Sequence, residues 1–245
     1  MAAIYLIRHG QASFGKADYD RLSDKGAKQA QILGEHWRQL TTPDKYYSGD
    51  LLRHRQTAEH FLSGYESSDL AVITHSGFNE FNHVEVLTRY KPEWQDLREM
   101  STFIAKQPAP NRAFEQHFTR AMLRWISGDY DDQYQESWLQ FKQRSLHALQ
   151  EVISQQLPTV SFANQRINKQ SSPAKNILIF TSGGPISVIV QHILALADEQ
   201  CLLINQQLSN TGVTKLLFSE TRLSIDYLNN YSHLEQAGAD WLTYR

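Results

Sequence analysis

The chain has 245 residues, 41% of them hydrophobic, and a formal net charge of −2, a composition typical of a folded globular protein. Its 24 basic and 26 acidic residues leave no basic excess that would indicate nucleic acid binding. Its single cysteine, Cys201, excludes an internal disulfide and favours a reducing compartment. We expect a cytoplasmic protein without a signal peptide or membrane span, since the longest apolar stretch, residues 186–197, is short and interrupted.

The first part of the chain alternates short strand patterns with helical ones. Residues 4–7 form an apolar run typical of a strand buried on both faces. After a polar loop, a helix is predicted to begin with Ser23 as its N-cap, and residues 46–48 resemble a second strand. Residues 50–62 predict another helix, followed by a strand at 71–74. This β-α-β-α-β order predicts a three-layer α/β/α fold with a mostly parallel central sheet.

The rest of the chain changes character before it returns to strands. Aromatic and aliphatic residues at helical spacing predict a helical insertion over about 84–157. A polar stretch over about 158–175 predicts a long loop, and we expect this loop and the insertion to form a lid that selects the substrate. Residues 177–180 return to the sheet, and residues 213–218 and 223–228 predict an antiparallel pair. The whole chain is predicted to form one domain.

The first predicted strand ends in the most informative residues of the chain, Arg8-His9-Gly10. In open α/β sheets, ligands bind in the crevice beyond the carboxyl ends of the strands. Histidine can act near neutral pH as a nucleophile, a base or a metal ligand. The planar, permanently charged arginine fork suits phosphate or carboxylate. Together these residues predict a histidine that handles phosphate.

Phosphoryl transfer through a covalent intermediate needs three kinds of group. A neutral imidazole nitrogen must face phosphorus, and His9 is the candidate. The charged phosphate oxygens need donors, which Arg8 and Arg53 can supply. An acid must protonate the leaving oxygen and later activate water, and Glu80 is the candidate. The histidines show no cluster at metal-ligand spacing, so we expect neither a metal nor another cofactor.

Five stretches of the chain follow one another in an informative order. Residues 6–11 read LIRHGQ, residues 22–30 LSDKGAKQA, residues 48–58 SGDLLRHRQTA, residues 78–80 FNE and residues 181–186 TSGGPI. They resemble the RHG, L-T-x-x-G-x-x-Q-A, S-x-L-x-R-A-x-Q-T-A, L-x-E and T-H-G-G-x-I motifs of the histidine phosphatase superfamily, in the branch that includes phosphoglycerate mutases. The order and spacing agree from residue 4 to about residue 218.

The resemblance implies a phosphatase that hydrolyses a small phosphate monoester through a phosphohistidine on His9. It assigns Arg8 and Arg53 to the phosphoryl group and Glu80 to acid–base catalysis. The Gly183-Gly184 turn also offers backbone N–H groups at a helix start, a ready anion site. We expect further phosphate contacts from the side chains of Gln11, Ser13 and Ser182 and from the backbone of Gly183.

One position departs from the family pattern, because Ser182 stands where the family has a second histidine. That histidine helps to hold the phosphoryl group, and removing one preorganised donor typically costs about 3–4 kcal/mol in transition-state stabilisation. His83 is the preferred candidate to replace it, ahead of His75. The absence of the family's glycine and second acid after Glu80 argues against a mutase. Two alternatives stay open: mutase-type phosphoryl transfer, and a phosphate-binding protein with a weakened catalytic site.

Overall fold

The computed structural model describes residues 2–13, 20–67, 71–156 and 175–244. The loop predicted over about 158–175 lies outside these residues except for Lys175. Among the helices of the described ranges, none is long and apolar enough to cross a membrane.

Six strands form one mixed sheet in the order β3-β2-β4-β1-β5-β6. The strands are β1 (Ala2–Arg8), β2 (Lys45–Ser48), β3 (Val72–Thr74), β4 (Asn176–Thr181), β5 (Val213–Phe218) and β6 (Leu223–Asn230). β1, β2, β3 and β4 run parallel to one another, whereas β5 pairs antiparallel with β1 and with β6. The prediction of a mostly parallel sheet closed by an antiparallel pair is therefore confirmed.

Nine helices lie in the described residues. They are α1 (Asp24–Trp37), α2 (Leu52–Tyr65), α3 (His83–Tyr90), α4 (Leu97–Ala105), α5 (Pro110–Ile126), α6 (Trp138–Ser154), α7 (Gly183–Leu194), α8 (Gln200–Gln207) and α9 (Ser232–Ala237). The predicted N-cap of α1 is confirmed, because the Ser23 hydroxyl accepts a hydrogen bond from the Gly26 N–H over 3.0 Å. Short 3-10 turns lie at Ser76–Phe78, Pro92–Gln95, Asp131–Gln133 and Ala239–Trp241.

The alternation of side chains along β1 divides the core between the two faces of the sheet. Ile4 and Leu6 pack on one face with residues of α6 and α7, whereas Tyr5 and Ile7 pack on the other with residues of α1 and α2. All four side chains are buried, as expected for a strand covered on both faces. This packing produces the three layers predicted from the sequence.

Helices α3 to α6 occupy the chain between β3 and β4 and build a separate hydrophobic cluster. Trp94, Trp125, Trp138 and Phe141 lie at its centre, and it reaches the main fold through Val188 of α7. Trp125, Trp138 and Phe141, three of the aromatic residues at helical spacing, are therefore core residues. Because α6 also packs against α7, the insertion lies directly beside the end of β4 that precedes α7.

Candidate active site

The candidate site lies where the two central parallel strands end. Arg8 pairs in register with Thr181, and the His9 N–H donates to the Thr181 carbonyl over 2.9 Å. His9 follows β1 directly, and Ser182 follows β4 directly. The carboxyl edge of the parallel strands therefore brings together residues that are far apart in the sequence.

The hydrogen bonds of His9 fix its tautomer. Its Nδ1 lies 2.7 Å from the carbonyl oxygen of Gly10, and a carbonyl can only accept, so Nδ1 carries the proton. Its Nε2 then keeps a lone pair. Burial, followed by the charges of Arg53 and Arg8, holds the pKa of His9 well below its usual value of 6.5, so the ring is neutral at physiological pH.

The turn after His9 is held by close backbone contacts. The Gly10 N–H donates to the Thr57 hydroxyl of α2 over 3.1 Å, and the Asn210 side chain donates to the His9 carbonyl over 3.1 Å. A Cβ on Gly10 would overlap the carbonyl oxygen of Gly26. The glycine of the Arg8-His9-Gly10 sequence is therefore required by the close approach of α1.

Arg8 and Arg53 both lie close enough to His9 and Glu80 to change the pKa values of these two residues. Arg8 donates to the carbonyl oxygens of Leu208 and Tyr244, the latter over 3.0 Å, which anchors its guanidinium beside β1. The charges of both Arg8 and Arg53 lower the pKa of His9 and oppose the increase in the pKa of Glu80. The two cations therefore share one site with the histidine and the acid.

Arg53 is held at the start of α2 by a carboxylate. Its Nη1 lies 2.7 Å from Oδ1 of Asp20, and its side chain is only 8% exposed. The other oxygen of Asp20 accepts the Leu52 N–H over 2.8 Å. A helix start and a guanidinium thus bind the two oxygens of one carboxylate, a pair of donors that also suits an anionic substrate group.

Glu80 lies against the glycine turn that follows β4. Its Oε2 accepts the Gly184 N–H over 3.2 Å, and its Oε1 accepts the Phe81 N–H over 3.3 Å. Burial raises the pKa of Glu80 despite the opposing effects of Arg53 and of these N–H groups. The Gly184 N–H, predicted as part of an anion site, therefore holds the carboxylate of the protein's own acid.

Arg144 of α6 fixes the segment that precedes Glu80, a role that the sequence analysis missed. Its Nη1 donates over 3.1 Å to each of three carbonyl oxygens, those of Ser76, Gly77 and Asn79. Its Nε and Nη2 bind the carboxylate of Glu136 at 2.6 and 2.9 Å. No sequence pattern indicates this contact, because it joins the insertion to a segment that precedes it by more than sixty residues.

Replacing Arg144 by alanine is expected to lower the free energy of unfolding by about 2–4 kcal/mol, because several charged hydrogen bonds are lost and the Glu136 carboxylate loses its partner. We also expect the turnover rate to fall, since the segment that carries Glu80 loosens. Urea unfolding measures the first effect. Arg124→Ala, which removes an arginine bonded to Tyr134 within the same insertion, is the control. Equal stability and activity of Arg144→Ala and the wild type would contradict this role.

Gln11 and Ser13 make their described hydrogen bonds within the protein. The Gln11 side chain accepts from the Ser23 hydroxyl over 2.9 Å, and the Ser13 hydroxyl donates to the Leu22 carbonyl over 3.0 Å. These bonds fasten the chain after β1 to the start of α1. Phosphate contact from either residue stays a prediction.

The sequence motifs that meet at this site were compared with models of known protein families. The family model described as the histidine phosphatase superfamily, branch 1, matches residues 4–113 and 89–231 of the chain. The chain belongs to this superfamily. The resemblance predicted from the five sequence stretches is therefore confirmed.

Several known proteins resemble the chain over nearly its whole length. A 5''-phosphoribostamycin phosphatase from Niallia circulans is 26% identical and covers 96% of this chain and 99% of its own. A phosphoglycerate mutase from Bacillus anthracis has a TM-score of 0.61 at 18% identity, covering 95% of this chain and 94% of its own. A phosphoserine phosphatase from Entamoeba histolytica has a TM-score of 0.61 at 19% identity, covering 96% and 100%. The two structural likenesses establish the fold.

The two histidines considered as substitutes for the superfamily's second histidine have different surroundings. His83 begins α3, and burial together with the charge of Arg53 lowers its pKa to about 4, so it lies within electrostatic reach of the site. His75 has both ring nitrogens engaged, with Glu151 over 2.8 Å and with the Gly77 N–H over 3.1 Å. Since no ring nitrogen of His75 remains for phosphate, it caps the 3-10 turn instead.

The sequence analysis did not identify a third histidine, His54, although it contacts Ser182, the position at which the chain departs from the superfamily pattern. Its Nε2 lies 2.6 Å from the Ser182 hydroxyl oxygen, and its ring centre lies 5.8 Å from that of His9. The superfamily stretch S-x-L-x-R-A-x-Q-T-A has alanine after its arginine, whereas this chain has His54 after Arg53. This replacement of alanine by histidine is the sequence feature that could have identified His54.

Proposed function

We propose that this protein hydrolyses phosphate monoesters through a phosphohistidine intermediate on His9. The observation that carries the proposal is the tautomer of His9: the bond from Nδ1 to the Gly10 carbonyl leaves the lone pair on Nε2. A neutral imidazole beside two guanidinium groups is suited to attack on a phosphate ester. The phosphatase relative supports hydrolysis of a small phosphorylated compound.

In the first step, the Nε2 lone pair of His9 forms a bond to phosphorus while the bond from phosphorus to the ester oxygen breaks. Glu80, in its protonated form, gives its proton to the departing oxygen, and an alcohol leaves. In the second step, the Glu80 carboxylate takes a proton from water, the water oxygen bonds to phosphorus, and the phosphorus–nitrogen bond breaks. Inorganic phosphate leaves and His9 returns to its starting state.

The donors around His9 stabilise the charge on the transferring group. Arg8 and Arg53 neutralise the oxygens that surround phosphorus, and the N-termini of α2 and α7 add backbone dipoles. Further donors come from the same edge of the sheet or from the turn after β1. They are Gln11, Ser182 and Gly183, whereas Ser13 donates its hydroxyl proton to the Leu22 carbonyl.

The activity assay with p-nitrophenyl phosphate tests this function against its alternatives. We expect steady release of nitrophenol and phosphate by the wild-type protein. A mutase would instead move a phosphoryl group between the positions of phosphoglycerate with little net release of phosphate. A protein that binds phosphate in calorimetry but releases no nitrophenol would be a binding protein, and the proposal would be wrong.

The pH dependence of turnover is expected to favour mildly acidic conditions with an alkyl phosphate. Glu80 must be protonated to assist departure of the alcohol, so activity should fall as the pH rises through its pKa, which lies above the usual 4.5. Activity should persist well below pH 6.5, because the depressed pKa of His9 keeps the nucleophile neutral there. A profile measured for the wild type and for Glu80→Gln checks this assignment. Retention of the same basic limb in the variant would contradict it.

A further inference from the structure

Two buried polar side chains beside His9 are bonded mainly to each other. Ser182 precedes α7, His54 lies in the first turn of α2, and neither is exposed to solvent. Their 2.6 Å contact joins positions that are 128 residues apart in the sequence. Because buried polar groups are costly unless they are satisfied, a pair of this kind next to a nucleophile requires an explanation.

The surroundings of His54 indicate which of its nitrogens carries the proton. Its Nδ1 is buried and has no hydrogen-bond partner among the described residues. A buried N–H without an acceptor is rarer and more costly than an unpaired acceptor. The proton therefore lies on Nε2, from which it is donated to the Ser182 oxygen.

The hydroxyl proton of Ser182 then points elsewhere. A serine hydroxyl that accepts one hydrogen bond still has one proton to donate. Ser182 does not use its side chain to cap α7, and in the described part of the chain His54 is the only side-chain partner of its hydroxyl. Ser182 follows β4 as His9 follows the neighbouring, in-register strand β1, so the acceptor that the proposed function supplies for this proton is an oxygen of the phosphoryl group on His9.

The neighbouring backbone leaves space for this imidazole. A Cβ on Gly49 would overlap Nδ1 of His54, and the Gly49 N–H is fixed by a bond to the Phe180 carbonyl over 3.0 Å. The two departures from the superfamily motifs are also reciprocal: His54 replaces an alanine, and Ser182 replaces a histidine. The imidazole is thus present beside His9, but it comes from α2 instead of the turn after β4.

We propose that Ser182 and His54 form a two-residue donor that holds the transferring phosphoryl group. Ser182 is the catalytic residue of the pair, because its hydroxyl touches a phosphoryl oxygen. His54 is a positioning residue that donates to this hydroxyl and orients its proton toward phosphate. The inference rests on the proposed phosphatase function and replaces His83 as the candidate for the missing histidine.

Single and double replacements of the pair test the inference. Ser182→Ala is expected to lower kcat by about 10²–10³-fold, the usual effect of losing one preorganised donor. His54→Ala should give a similar loss, and the double variant His54→Ala/Ser182→Ala should be no worse than either single variant, because the two groups act as one unit. KM should change little. Ser145→Ala, a replacement of another fully buried serine on α6, is the control and should keep full activity.

Two further variants distinguish positioning from packing. In His54→Gln the amide nitrogen can donate from about the place of Nε2, so kcat should recover to within about tenfold of the wild type. The reciprocal double variant His54→Ala/Ser182→His restores the arrangement of the superfamily motifs and should also regain activity, whereas Ser182→His alone crowds His54. Thermal melting of every variant separates a loss of folded protein from a loss of kcat.

Binding of orthovanadate, an analogue of the pentacoordinate transition state, gives a second readout that needs no turnover. We expect Ser182→Ala and His54→Ala to bind vanadate at least tenfold more weakly than the wild type and than Ser145→Ala. If the wild type binds vanadate but hydrolyses no ester, the proposed function fails while this comparison still decides the pair. The inference would be overturned if both single variants kept the kcat and the vanadate affinity of the wild type. It would also be overturned if the wild type bound no vanadate.

Discussion

Replacing His9 by alanine is expected to lower kcat/KM for p-nitrophenyl phosphate by about 10⁴-fold or more. Without Nε2 no covalent intermediate forms, and the remaining donors provide only the binding and electrostatic part of catalysis. Because the His9 ring is buried and bonded to the Gly10 carbonyl, some loss of stability accompanies the change. Steady-state kinetics and thermal melting of the purified variant measure the two effects separately.

The matched control for this prediction is His147→Ala, which removes an exposed imidazole from α6 that pairs with Glu151. This variant should keep the activity of the wild type. Phosphate binding provides a second check, since Arg8 and Arg53 remain in His9→Ala and should still bind the anion. A fully folded His9→Ala variant with activity near the wild-type value would rule out His9 as the nucleophile.

Replacing Glu80 by glutamine is expected to lower kcat for an alkyl phosphate by about 10²–10⁴-fold, the range for loss of a general acid–base group. The two steps should respond differently with p-nitrophenyl phosphate. Nitrophenolate leaves without a proton, so the first step remains rapid, whereas activation of water in the second step is lost. The variant should therefore release about one nitrophenolate per active site in a burst and then turn over slowly.

Rapid-mixing kinetics measure this burst, and Glu35→Gln on the exposed surface of α1 is the control. Glutamine keeps a carbonyl oxygen that can accept the Gly184 or Phe81 N–H, so the local structure should survive. An equal loss with alkyl and nitrophenyl esters, without a burst, would assign Glu80 to a structural role.

The sequence predicts the sheet and the nucleophile well because both depend on local patterns. Ile4 to Ile7 alternate between two buried faces, and His9 follows that strand directly, so the position of His9 at the carboxyl edge requires no knowledge of distant contacts. Ser23 likewise caps α1 through a bond to a residue three positions later. Such features are encoded within a few residues.

The features that the sequence analysis missed depend on contacts between distant parts of the chain. The pairing of His54 with Ser182 arises only when the start of α2 lies over the end of β4. The hydrogen bonds from Arg144 to the segment before Glu80 depend on how α6 packs against that segment. The Gly184 N–H was predicted to bind phosphate, but its actual acceptor, Glu80, comes from a different strand connection. In each case the partner is set by the fold and not by residues that are neighbours in the sequence.

The most direct test of the central claim is to trap the intermediate. Glu80→Gln mixed with p-nitrophenyl phosphate, quenched in base during the burst and digested, should yield one phosphorylated peptide, with the phosphoryl group on His9. The phosphorus–nitrogen bond should be stable in base and labile in acid, and His9→Ala/Glu80→Gln should yield no such peptide. A burst without a phosphorylated protein, or a phosphoryl group found on a residue other than His9, would contradict the account.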